Sequence, residues 1–384
     1  METALKDKNH SNKQLSLIEL SSLNDLANQS ISHKISGLGT NIPNGGNKYL
    51  LQIQNRRYLG NKHKLLPLLK EIVKQNCNEF GSLCDIFAGT GVVGQAFNNK
   101  KIKIISNELL FSNYISLYAW LSSESYDKTK IEEALGQLNA IRGDKDNYVS
   151  DNFGNRYFSL DNARKIGQIR ASIEKMSLSP KEKSILLTSL LYAIDKSANT
   201  CGHYDAFRKN LDMISPIKLL LPDIKQEMNE SNEVFNEDAN KVIGQIEADI
   251  LYIDPPYNSR QYSDTYHLLE NIIRWGKPIV FGKAKKMNRS NIKSMYCTKE
   301  AAGAFYDLVI NAKCKYILLS YNNMSDKGNV RSNARIKDKE IIEILEKRGK
   351  VEIFEQIYKP FSTGKSLTED HAERVFFCSI RHKT

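Results

Sequence analysis

The run Asp254-Pro255-Pro256-Tyr257 combines residue types that could do chemistry on an amine. Asp249–Ile253 leads into it and reads as a short buried strand, apolar and bounded by a breaker. Two prolines end that strand and remove two N–H donors, leaving carbonyls directed outward beside the Asp254 carboxylate. A carboxylate, carbonyl acceptors and an aromatic ring thus stand at the carboxyl end of a strand, where open α/β sheets bind ligands. Two acceptors match the two N–H bonds of an exocyclic amine, and a ring can stack on the base that carries it. By itself the tetrapeptide is also compatible with a strand end, a Pro-Pro turn and a surface tyrosine. Its neighbours decide between the two.

Upstream, Ser82-Leu-Cys-Asp85-Ile-Phe87 is a second strand-like run that opens into Ala88-Gly89-Thr90-Gly91-Val-Val-Gly94 and a helix. A Gly-x-Gly turn there lets the backbone approach a ligand and places helix N–H groups beside it. Tight strand-to-helix turns use the same residues for geometry alone. The next strand, Lys101-Ile-Lys-Ile-Ile-Ser-Asn107, ends at Glu108, 17 positions beyond Gly91. That is close to the spacing at which such folds set a carboxylate on ribose hydroxyls. Strand, glycine turn, helix, strand and acid make half of a nucleoside-binding sheet, suited to a dinucleotide and to S-adenosylmethionine alike.

With these residues in order, the chain resembles the D12 class of DNA adenine-N6 methyltransferases, the group that includes the Dam enzymes. Arg57-Tyr58-Leu59-Gly60-Asn61-Lys62 matches the N-terminal block, Asp85-Ile-Phe87-Ala-Gly89-Thr-Gly91 the cofactor loop, and Asp254–Tyr257 the catalytic tetrapeptide. The resemblance implies a methyltransferase fold: a mostly parallel twisted sheet with an antiparallel C-terminal hairpin and a helical insertion. It implies S-adenosylmethionine as cofactor, held by Tyr58, Lys62, Asp85, Phe87, Gly89, Gly91, Glu108 and Asp254. Asp238, in Glu237-Asp238-Ala239, stands where the family often has Asp-Phe on the cofactor adenine; here alanine replaces the phenylalanine. Catalysis falls to Asp254, Pro255, Pro256 and Tyr257, with no metal. The expected activity is methyl transfer to N6 of a flipped adenine in double-stranded DNA, within a restriction-modification system that could include a companion endonuclease. Cytosine-N4 methylation and a non-catalytic DNA-binding subunit remain alternatives. Cytosine-N4 enzymes more often begin the tetrapeptide with Ser or Asn, and a nicotinamide enzyme has no use for Asp-Pro-Pro-Tyr.

Bulk properties agree with such a partner. The 384 residues suffice for a sizeable core, and a net charge of +11 suits a polyanion, although solvated lysines give the same sum. The six cysteines show no C-x-x-C pairing and read as reduced thiols, and neither an N-terminal apolar leader nor an 18-residue apolar run appears. A cytoplasmic protein is the expectation.

Composition divides the chain into four parts. Residues 1–46, rich in Ser, Asn and Lys, read as a flexible arm with a weak helix near Leu15–Leu26. Residues 47–122 form the first half of the catalytic domain. Residues 123–235 lose the strand signal and read as a helical insertion in the target-recognition region, with helices over Ser184–Ile194 and Lys209–Met228 and joints around Gly143–Gly154. Residues 236–384 complete the catalytic domain, with strands near Lys315–Ser320, Lys350–Tyr358 and Arg374–Ile380, the last two pairing as a hairpin.

Three segments carry the cations and aromatics expected at DNA. One is the loop with His203, Tyr204 and Arg208, which equally suits a polar helix–helix joint. Arg260 and Gln261 directly follow the tetrapeptide. The third is a basic loop over 277–298 whose Lys285, Lys286, Arg289 and Lys293 suit phosphates or a solvated face. His267 and Glu270 read as structural.

Overall fold

The computed structural model describes residues 32–34, 50–211, 215–322, 334–357 and 372–381. The expected arm over 1–46 therefore lies outside the described residues except for Ser32–Lys34. Ten strands occur among those described, in chain order β1 (Ser32–Lys34), β2 (Leu50–Leu51), β3 (Ser82–Asp85), β4 (Lys103–Asn107), β5 (Leu221–Pro222), β6 (Glu233–Phe235), β7 (Ile250–Ile253), β8 (Tyr316–Asn322), β9 (Gly349–Ile357) and β10 (Ala372–Ile380). Eight form one sheet in the order β1-β9-β10-β8-β7-β3-β4-β6, and β2 pairs with β5 apart from it. β10 runs antiparallel to both β8 and β9, as the hairpin pattern predicts; the other pairs in the large sheet are parallel.

Strand periodicity explains why both faces of this sheet are buried. Side chains alternate across a strand. Ile250 and Tyr252 of β7 therefore join one apolar cluster, and Leu251 and Ile253 the opposite one. Val375 and Phe377 of β10 divide from Phe376 and Cys378 in the same way. Helices cover each face, as parallel sheets require. Leu66–Asn76, Phe111–Leu121 and Pro180–Ser197 supply the first cluster, Ala301–Asn311 and Asp338–Glu346 the second.

The insertion contains the expected helix, which extends over Pro180–Ser197. It begins at a capping box between Ser179 and Glu182 with proline at its first position. The joint near Gly143–Gly154 also includes a short helix, Tyr148–Phe153.

The helix expected over Lys209–Met228 does not form among the described residues. Pro216 and Pro222 bias their predecessors out of the helical region and lack the N–H a helix needs. The chain runs extended instead, burying Ile217 and Leu219 in alternation. Neighbouring side chains satisfy its backbone. Asn162 accepts from Ile217 N–H at 3.3 Å, Asn139 from Leu219 N–H at 2.8 Å and Ser189 from Leu220 N–H at 3.0 Å.

Candidate active site

β3, β4 and β7 are adjacent and parallel, so their carboxyl ends share one edge of the sheet. That edge carries Asp85, Asn107 with Glu108, and Asp254. The chain steps from β3 outward to β4 and β6 and then returns to β7 on the other side of β3. Such a reversal opens a crevice at the strand ends. A cleft of about 880 Å³, counting solvent at its mouth, lies there, and Tyr58, Lys62, Asp85, Glu108, Asp238 and Asp254 are among the residues that line it.

The glycine turn shapes one wall. Gly89 and Gly91 adopt φ of +54° and +82°, which a side chain would strain. A β-carbon on Gly91 would also stand 2.6 Å from Leu117 Cδ2. Glu108 fastens the turn, because its carboxylate accepts from Gly89 N–H at 2.8 Å and from Leu110 N–H at 3.2 Å. Asn107 ties the next segment in: its amide donates to the Ile86 and Glu237 carbonyls and accepts from Glu237 N–H. Asp238 then caps the short helix Ala239–Val242 through Asn240 N–H at 3.0 Å.

The N-terminal block forms the facing wall. Tyr58 stacks on Tyr266 with ring centres 4.6 Å apart, and its ring edge lies 3.3 Å from where a Gly89 β-carbon would stand. Lys62, 5 % exposed, lies with Nζ 3.1 Å from Asp254 Oδ1 and donates to the Tyr257 hydroxyl at 2.8 Å. Tyr257 is held from behind as well. Its carbonyl accepts from Arg335 N–H at 2.7 Å, and its ring meets Tyr321 edge-on at 5.4 Å. Pro255 is buried and Pro256 lines the cleft.

The floor is acidic. Asp85 is 1 % exposed, and its Oδ1 is buried with no hydrogen-bond partner. Burial first, then repulsion from Asp254 and Glu108, pushes its carboxyl well above the usual range. Burial also raises Glu108, against the backbone N–H groups that favour its charged form. Phe87 closes this side, edge-on to Tyr296 at 4.9 Å. Hydroxyl donors and a cationic group would relieve this carboxyl cluster, while the rings and apolar walls suit a planar base.

One part of the site escaped sequence reasoning. Arg56 is buried, its Nε donating to Asp195 at 3.1 Å and its Nη1 to Asn113 at 2.6 Å. Asn113 donates to the Tyr58 hydroxyl at 3.0 Å, and Tyr204 donates to the other Asp195 oxygen at 2.7 Å. A buried chain of polar groups thus links the insertion to the tyrosine of the N-terminal block. The only signal in the sequence is the position of Arg56, immediately before that block.

The expected DNA-facing residues separate. Tyr204 requires correction: it is 1 % exposed and spends its hydroxyl on Asp195, so it is an internal strut. Gln261 also turns inward. Its amide oxygen accepts from Ser294 N–H at 2.8 Å and its amide nitrogen donates to Ser294 O at 2.9 Å, clamping the segment after the tetrapeptide to the basic loop. Lys286 pairs with Asp205 at 2.8 Å and Arg289 with Asp264 at 2.6 Å, so a phosphate would compete with these carboxylates. Arg208, Arg260 and Lys293 are exposed, while Lys285 and His203 are half-buried. His267 and Glu270 are fully buried. The His267 ring meets Tyr204 O at 2.9 Å, and Glu270 accepts from Phe111 and Ser112 N–H at the start of helix Phe111–Leu121. No helix among the described residues is long and apolar enough to cross a membrane.

Several known proteins are similar to this chain in sequence. The chain is 32 % identical over 342 residues to the Type II methyltransferase M.FokI of Planomicrobium okeanokoites, covering 83 % of this chain and 51 % of that protein. It is 37 % identical over 286 residues to the modification methylase StsI of Streptococcus sanguinis, covering 70 % and 44 %. The chain thus spans about half the length of these two relatives. Against the Type II methyltransferase M.NlaIII of Neisseria lactamica the identity is 32 % over 336 residues, covering 83 % of this chain and 96 % of that one. Residues 58–332, from the N-terminal block past β8, match the D12 class N6 adenine-specific DNA methyltransferases, and the chain belongs to that family.

Proposed function

We propose that this protein transfers a methyl group from S-adenosylmethionine to N6 of an adenine flipped out of a specific site in double-stranded DNA. The observation that carries the reading is that Asp254 and Pro256, at the end of β7, line the same cleft as Glu108, Asp85 and Tyr58. The cleft fits the cofactor on two grounds. Glu108 and Asp238 are acceptors where a nucleoside presents hydroxyl and amine donors, and the unpartnered Asp85 oxygen lies in a carboxyl cluster that a cation would balance.

When bound, S-adenosylmethionine would supply an already activated methyl, so the protein need only align and stabilise. The adenine N6 lone pair is delocalised into the ring and is a poor nucleophile. Asp254 and the Pro255 carbonyl would each accept one N6–H bond, drawing the nitrogen toward tetrahedral geometry and concentrating its lone pair. Asp254 need not be a strong base, because a methylated cationic N6 sheds its proton readily. The target atom is inaccessible inside a duplex, so the base must leave the stack, and Tyr257 offers it a ring. Lys285 and Lys293 would meet the phosphates, while Arg260 and the loop with Arg208 would approach the bases. We further assign the protein to the cytoplasm, in a restriction-modification system whose endonuclease would recognise the same site.

Methylating DNA with labelled cofactor, then identifying the modified base and its sequence context, tests this reading. N6-methyladenine at one recurrent sequence is expected. N4-methylcytosine, or no transfer at all, would overturn it.

A further inference from the structure

Beyond the cleft, the most unusual surface is the turn that follows helix His267–Arg274. Ile279 and Phe281 there are 77 % and 62 % exposed, the two most exposed large apolar side chains among the described residues. Exposed apolar side chains that cluster, unlike ones scattered singly, mark interaction sites. The segment is nevertheless well anchored. Phe281 and Lys286 exchange backbone hydrogen bonds at 2.8 and 2.9 Å, and Gly282 and Lys285 take the positive φ that closes the turn. Two buried or half-buried tyrosines hold its flanks, Tyr148 donating to Pro278 O at 2.6 Å and Tyr157 to Ala284 O at 3.0 Å. The Lys286–Asp205 pair fastens it to the loop that carries Arg208. Downstream, the same chain forms the cleft wall at Ile292 and Ser294.

An apolar tip between the exposed Lys277 and Lys283 matches a partner that is anionic outside and apolar between its layers. Duplex DNA is such a partner, and apolar side chains that enter a base step unstack it. We propose that Phe281, supported by Ile279, is a wedge that enters the base stack beside the target and keeps the flipped adenine out. This rests on the proposed function. It adds a residue outside the tetrapeptide that sets the ease of base extrusion, held rigid by the tyrosine anchors. Because both side chains are exposed, their removal leaves the core unchanged.

The test compares methylation of a duplex containing the recognition sequence with the same duplex carrying a mismatch opposite the target adenine. Phe281→Ala should lower kcat/KM about ten- to a hundredfold on the paired duplex, the scale of removing one ring that stacks on a base. On the mismatched duplex, where extrusion is already easy, the loss should shrink to within about threefold. Tyr306→Ala, exposed on helix Ala301–Asn311, should match the wild type on both. An equal loss on both duplexes would make Phe281 a general binding residue and overturn the wedge, as would no loss on either. Binding to anionic phospholipid vesicles that Phe281→Ala abolishes, with methylation intact, would overturn it in favour of membrane docking. A wild-type protein that methylates neither duplex would overturn both this inference and the function beneath it, so the two failures are distinguishable.

Discussion

Lys62 Nζ lies 3.1 Å from Asp254 Oδ1 and 2.8 Å from the Tyr257 hydroxyl, so one buried cation joins the N-terminal block to both ends of the Asp254–Tyr257 tetrapeptide. The family resemblance implies that Lys62 helps to hold the cofactor. In the structure it steadies the groups that would receive the base.

Lys62 and Asp254 should therefore act as a unit. Asp254→Ala is expected to lower kcat at least about a hundredfold while leaving cofactor affinity largely intact, the scale of removing one preorganised hydrogen-bond acceptor. Lys62→Ala should lower kcat about tenfold or more as well as weaken cofactor binding. The double variant should be little worse than Asp254→Ala, since residues in contact are not additive. Single-turnover kinetics with fully additive losses would refute the coupling.

Glu108→Ala should weaken S-adenosylmethionine by roughly 1.5–3 kcal/mol, the range for hydrogen bonds to a charged group. The same change strands the Gly89 and Leu110 N–H groups that the carboxylate now accepts. Glu108→Gln keeps an acceptor oxygen and should lose less. Calorimetric titration that finds unchanged affinity in Glu108→Ala would remove Glu108 from the cofactor site.

Acid should destabilise the fold through His267. Burial lowers this imidazole from an ordinary value near 6.5 to about 4, against the Tyr204 carbonyl that favours its charged form. The unfolded chain thus takes up the proton first. Stability is retained above about pH 6.5 and falls with pH until the folded group also protonates near 4. Between pH 7 and 5 this one group should cost about 2 kcal/mol. Urea unfolding at the two pH values checks it, and His267→Gln, which can still donate to Tyr204 O, should flatten the acid limb. An unflattened limb would assign the loss to other groups.

Salt dependence should distinguish the cations of the basic loop. Replacing Lys285 and Lys293 with alanine should reduce the slope of log affinity against log salt by about 0.9 for each phosphate that is no longer neutralised, on cognate and unrelated duplexes alike. Replacing Lys286 should change the slope less, because Asp205 already neutralises it. Arg260, exposed beside the tetrapeptide, is the candidate for base reading, and its removal should narrow the gap between cognate and unrelated DNA by about 1–3 kcal/mol. Titrations at several salt concentrations decide, and a larger slope change for Lys286 than for Lys293 would reverse the assignment.

The strands and their chemistry were legible because their signals are local. An apolar run ended by Pro255-Pro256, or by Ala88-Gly89, marks a strand and its exit without knowledge of the rest. The Arg56–Asp195–Tyr204 chain is different: its members lie far apart in sequence and acquire meaning only when helix Pro180–Ser197 packs beside the N-terminal block. The leucines after Lys209 misled for a related reason. Their spacing fits a helix, but Asn139, Asn162 and Ser189 supply a long-range alternative for the backbone that no local pattern encodes. Tyr204 and Gln261 looked available because polar side chains in a loop do, until their partners were known.

β1 gives the sheet a protected margin. Ser32–Lys34 pairs in parallel with Ile353, Phe354 and Glu355, so β9 is not an outermost strand along that stretch. A bare edge is a template on which other chains can add strands and aggregate. Three residues ahead of the family block thereby cover part of a strand edge. A chain shortened to begin at Leu50 would keep every residue of the cleft yet present β9 to its neighbours, and self-association rather than lost activity would be its characteristic failure.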